Sequence, residues 1–68
     1  MILMERELPG FNLDIRLEFD PLMGIQVEVR DDIGVPIWVR NFDTDGKMAM
    51  DVFNHPFAHG FELEGALA

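Results

Sequence analysis

From Phe11 to Phe19 every odd position is apolar and every even one is polar: Phe11, Leu13, Ile15, Leu17 and Phe19 alternate with Asn12, Asp14, Arg16 and Glu18. An unbroken period of two over this length predicts a strand with one buried face. Asp20-Pro21-Leu22-Met23-Gly24 then interrupts the pattern with turn-forming residues, and the alternation resumes at Ile25. With those residues as the loop, Phe19 lies opposite Ile25, Leu17 opposite Val27 and Ile15 opposite Val29, all facing inward. The outward pairs become Glu18–Gln26, Arg16–Glu28 and Asp14–Arg30, and the last two join opposite charges across the ladder. A slip of one residue would turn the apolar set to solvent, so the register is well specified.

A second turn, Asp32-Ile33-Gly34 with Gly34 left-handed, keeps the parity and sets Val29 opposite Ile37 and Val27 opposite Val39. On this register Trp38 falls on the outer face in a row with Arg16 and Glu28, flanked by Pro36, Arg30 and Arg40. Pro36 has no N–H to give a ladder, which puts this third strand at a sheet edge. After Phe42 the period changes. Met48, Ala49, Val52 and Phe53 form a stripe at helical spacing, with Asp43 or Thr44 as N-cap and Asp45 favoured by the helix dipole. The His55-Pro56 step breaks that helix, and a short helical turn ending at Gly60 follows.

Three conformations are open to residues 1–8: a strand extending the sheet, a short helix, or a frayed segment set apart by Pro9-Gly10. Phe61-Glu62-Leu63-Glu64 alternates briefly and is a second source for a fourth strand. The expected fold is α+β: a three-stranded antiparallel meander in the order 1-2-3, packed on one C-terminal helix, with a fourth edge strand from a terminus. Residues 1–68 form one small domain, divided into an N-terminal segment 1–10 that is mobile if it does not pair, a meander 11–42, a helix 43–55 and a C-terminal turn or tail 56–68.

Composition narrows what such a domain does. The chain has no cysteine, which excludes disulfides, thiolate metal sites and a thiol nucleophile. Its 49% apolar residues, six Phe and one Trp are those of a folded chain, at a size where one core barely suffices. Scaling from typical values gives a stability of about 3–7 kcal/mol, and dimerisation would add to it. Thirteen acids against five bases leave a net charge of −8, which repels phosphate backbones and anionic lipid. Direct nucleic-acid or membrane binding is therefore not expected. The apolar run Met1–Met4 ends at Glu5, too short for a signal sequence or a membrane span, so the expected compartment is the cytoplasm.

Three short patterns suggest chemistry. Phe42-Asp43-Thr44-Asp45-Gly46-Lys47-Met48, after the apolar Ile37-Trp38-Val39, resembles the strand-end signature of haloacid-dehalogenase-type phosphatases. In that family the first Asp is a nucleophile and the second an acid/base, carried on a parallel α/β core. Lys47 stands where the family has Thr, and the few residues after Met48 leave no room for such a core, so capping of the following helix is the expected role. The same acids do not match a calcium-binding EF-hand loop, which needs Gly at its sixth position and Glu at its twelfth. Here Gly46 is fourth from Asp43 and Asn54 twelfth. Asp51, His55 and His59 recur at spacing four and would offer zinc two imidazoles and a carboxylate on one continuous helix, although Pro56 interrupts it. No serine is present, and no pairing of the two histidines with carboxylates makes an acid/base set, so neither an enzyme nor a cofactor is expected.

What remains is surface. Trp38, Pro36, Arg30 and Arg40 are the residue types that dominate protein–protein hot spots, and Trp38 is the expected centre of partner binding. The alternative is internal cover of the indole, by a neighbouring arginine or by the N-terminus. Asp31, Asp32, Asp43 and Asp45 form an expected acidic surface at the two ends of the third strand, suited to a basic partner or to imitating phosphates in a basic groove. Their alternative role is solubility. The expected function is thus a small acidic interaction module, an inhibitor or regulator of another protein. Its β-β-β-α outline resembles small antitoxins and compact phage-encoded inhibitors.

Overall fold

The alternation beyond Leu13 folds in the register that its side chains demand. The computed structural model describes residues 1–62 and holds four strands: β1 (Ile2–Leu8), β2 (Leu13–Asp20), β3 (Gly24–Arg30) and β4 (Pro36–Asp43). They form one antiparallel sheet in the order β1-β2-β3-β4. A helix, α1 (Gly46–Asn54), and a single 3-10 turn (Pro56–His59) follow. The fold is α+β, with the fourth strand supplied by the N-terminus. Phe61 and Glu62 are not in a strand, and the remainder of that candidate strand lies outside the described residues.

Between β2 and β3 all six expected pairs form, from Phe19 opposite Ile25 to Asp14 opposite Arg30. The Asp20 carboxylate holds the connecting turn, accepting from the backbone N–H of Leu22 at 2.7 Å and of Met23 at 3.2 Å. These two bonds favour the charged form and keep the Asp20 carboxyl below the usual aspartate range. A group shifted this way stabilises the fold above its unfolded pKa and loses that contribution as pH falls through its folded one. Comparing urea unfolding of the parent and Asp20→Asn should therefore show a gap at neutral pH that closes in acid. A gap independent of pH would remove the charge from the explanation.

The β3–β4 register departs from expectation. Arg30 pairs with Pro36 as expected, but Val29 then faces Trp38, Glu28 faces Val39 and Val27 faces Arg40. Ile37 is the extra residue of a bulge beside Pro36, where the ladder already lacks a donor. Trp38 to Asn41 change face, until a further irregularity at Phe42 sets Asp43 opposite Ile25. Trp38 and Phe42 join Ile37 against the core while Val39 is exposed, and the two aromatic rings bury more area than the one aliphatic side chain they replace. The expected outward row of Arg16, Glu28 and Trp38 is accordingly Arg16, Glu28 and Val39.

The core joins Leu8, Leu13, Ile15, Leu17, Val27 and Val29 of the sheet to Ala49, Val52 and Phe53 of α1 and to Phe61. Met48, expected in the helical stripe, is exposed. The helix also starts later than expected. Its N-cap is Asp45, which accepts from the N–H of Met48 at 3.0 Å, rather than Asp43 or Thr44. Its C-terminus is closed from across the molecule, where Arg6 of β1 donates to the carbonyls of Phe53 at 2.7 Å and Asn54 at 3.4 Å.

Candidate interaction surfaces

The bulge at Ile37 divides the expected binding residues between two faces. Arg30 and Pro36 pair on the outer face, where Arg30 is bound to Glu28 and to the Gly34 carbonyl. Trp38 and Arg40 lie on the core side, with the Arg40 guanidinium 4.8 Å from the indole centroid. The indole also packs on Phe61, centroid to centroid at 5.5 Å. The chain continues this aromatic row through Phe57 and Phe11, at 5.2 Å and 5.6 Å. Trp38 is thus internally covered on one side by Phe61 and on another by Arg40, and the four residues do not form one surface.

The acidic residues divide as well. Asp31 is spent on its own turn, its carboxylate accepting from the N–H of Ile33 at 3.1 Å and Val35 at 2.8 Å. Asp45 caps α1. Asp43 sits at positive φ (55°) where β4 ends against Gly24. Asp32 shares an open cleft with Glu7 and Asp14 near the β1–β2 turn. Asp51 and His59 meet at 2.6 Å, joining α1 to the 3-10 turn, but His55 does not complete a ligand set with them. Among the described residues no three His, Asp or Glu side chains could hold a metal ion together.

The outer sheet face is a charge ladder. Arg16 pairs with Glu5 and lies 3.7 Å from Glu18, which also accepts from Gln26 at 3.0 Å. Glu28 is only 6% exposed, and Arg30 is its ionic partner. Arg30→Met would leave that carboxylate buried without a counter-charge, at a cost of about 2 kcal/mol once the partial exposure of Arg30 is allowed for. Replacing both (Arg30→Met with Glu28→Met) should recover most of it in urea unfolding. A double variant as unstable as the single one would show that the pair is not what holds this face.

An unanticipated surface lies at the opposite corner. Helix α1 contacts β2, β3 and β4, whereas β1 stands outside its footprint and reaches it through the Arg6 side chain. Met1 and Phe19 exchange both backbone bonds, at 2.7 Å and 2.9 Å, so their side chains share a face. Leu3 is the extra residue of a bulge in β1, after which Met4 pairs with Leu17 on that same core-side face. Met1 is 78%, Met4 42% and Phe19 40% exposed, although a helix over this corner would have buried them. The sequence does carry a signal for it. The run Met1–Met4 is apolar on both parities, and all five methionines of the chain prove exposed or border on it.

No protein-family model, curated protein or solved structure matches this chain. Among the described residues no helix is long and apolar enough to cross a membrane.

Proposed function

We propose that this chain is a non-enzymatic interaction module that regulates or inhibits another protein in the cytoplasm by binding a basic surface on it. The observation that carries this reading is the uncovered corner of Met1, Met4 and Phe19 on a chain of net charge −8. Exposed apolar side chains grouped on one face mark a place where something binds. The surrounding acid excess steers a basic partner toward it and disfavours an acidic one. The surfaces expected from sequence fit this role less well, because Trp38 already packs against Phe61 and Arg30 against Glu28.

Affinity capture from the producing cell, run beside a measurement of solution mass, tests the reading. It expects a partner that is retained by the parent protein and lost from a Met4→Glu variant of unchanged fold. Retention by both proteins, or by neither, would contradict it. A second reading, imitation of nucleic-acid phosphates, draws on the cleft that Glu7, Asp14 and Asp32 share. It predicts that Asp14→Asn with Asp32→Asn abolishes capture while Met4→Glu leaves it intact, together with a steep salt dependence.

A further inference from the structure

Four strands about 4.8 Å apart make a sheet about 14 Å across between its outer strand axes, and a helix with its side chains is about 10 Å wide. Two helices side by side cover such a face. Among the described residues this chain supplies one α-helix, and it lies over β2, β3 and β4. Among the described residues the place left open is over the N-terminal part of β1, since Leu8 at its other end is buried in the core.

The sides of that place are defined. Its floor is Met1, Met4 and Phe19, which share the core-side face. Its wall is α1. The Arg6 guanidinium lies 5.2 Å from the Phe53 ring centroid, so the flank of α1 that bears Phe53 is the one turned toward β1. At about 100° per residue Met50 lies about 60° round from Phe53 and Met48 about 140°, which makes Met50 the exposed side chain on that flank. Met23 adds a further exposed thioether in the turn after Phe19. Long, unbranched and polarisable, methionines line surfaces that accept an apolar helix face without demanding one shape of it.

Charge selects among occupants. Asp20, Asp43 and Asp45 gather at this end of the sheet, since Asp20 and Asp43 both pair with Gly24 and Asp45 caps α1. Lys47 and the Met1 amino group are the positive charges beside them. A second copy, itself of net charge −8, would be repelled, whereas a basic segment is attracted.

We infer that the corner over β1 is a seat for a basic amphipathic helix of a partner protein, laid beside α1 with its apolar stripe on Met1, Met4, Phe19 and Met50. The inference rests on the interaction reading above and names the partner's chemistry. The probe is a synthetic 18-residue peptide of Leu and Lys with Leu at helical spacing, and its counterpart has Glu in place of Lys. Binding is followed through the methyl signals of ε-13C-methionine in the full chain. The Leu–Lys peptide should shift Met4 and Met50 more than Met48 and become helical on binding. Met4→Glu should weaken it at least tenfold, although that change adds a negative charge, while Val39→Glu on the outer face should not. The Leu–Glu peptide should not bind.

Equal affinity for Met4→Glu and the parent, or shifts that spare Met4 and Met50, would overturn the seat. Equal binding of the Leu–Glu peptide would overturn the charge argument. A parent protein that is dimeric in solution and becomes monomeric on Met4→Glu would give the seat to a second copy instead. If the peptide fails while affinity capture still yields a partner that Met4→Glu loses, the helical chemistry falls and the interaction reading stands.

Discussion

Gly24→Ala should cost about 3 kcal/mol or more and sharply lower the temperature at which the chain unfolds. Gly24 adopts φ +82°, which an alanine holds only at a cost of about 1–3 kcal/mol. Space is the second obstacle. A Cβ at this position would overlap the Asp43 carbonyl oxygen and lie 2.9 Å from its carbon. The obstruction is backbone, so no side-chain rotation relieves it, and the β3–β4 junction that leads into α1 would have to open. Against a total stability of about 3–7 kcal/mol, that is between about half and all of what the fold has. Thermal unfolding followed by circular dichroism measures it. A loss of under 1 kcal/mol would mean that β3 and β4 do not approach so closely.

Phe61→Ala should be nearly as severe, at about 3–5 kcal/mol, because the ring is 2% exposed and its removal leaves a cavity between Trp38 and Phe57. Its sharper use is in a double-mutant cycle with Trp38→Ala. Rings with centroids 5.5 Å apart should show a coupling of about 0.5–1.5 kcal/mol. If β4 followed the regular register, Trp38 would stand on the other side of the sheet and the coupling would vanish. The cycle therefore tests the bulge at Ile37 as well as the packing.

That bulge marks where sequence reasoning stops. The β2–β3 pairing was legible because only one parity is apolar in residues 11–19 and again in 25–29, so a single register turns them all to one face. In β4 both parities carry apolar residues: Ile37 and Val39 on one, Trp38 and Phe42 on the other. The choice between them depends on Phe61, which follows α1 in the chain and packs on Trp38 only once the helix has crossed the sheet. No local pattern contains that information. The helix end at His55-Pro56 and the left-handed Gly60 were legible for the opposite reason, since each follows from the backbone constraints of one or two residues.

The surface was harder to read than the core. Met1–Met4 announces an apolar segment, but whether it is buried depends on how far α1 extends over the sheet, a matter of helix placement. Asp31 and Asp45, counted from sequence only as displayed charge, also hold backbone N–H groups of their own turn and helix while keeping that charge. Arg6 shows the same lesson for a base. Its sequence neighbours are two glutamates, yet it closes the C-terminus of a helix more than forty residues away, as the Phe53 contact spans a separation of 47.

Site-specific photocrosslinking tests most directly whether the corner over β1 is where the partner sits. A photoreactive amino acid would replace Met4 in one variant and Val39, on the opposite sheet face, in the other, each expressed in the producing cell. The account predicts a crosslinked product of one discrete mass from position 4, containing a segment rich in lysine or arginine, and none from position 39. A product from position 39 alone, or one from position 4 whose mass is that of two copies of this chain, would contradict it.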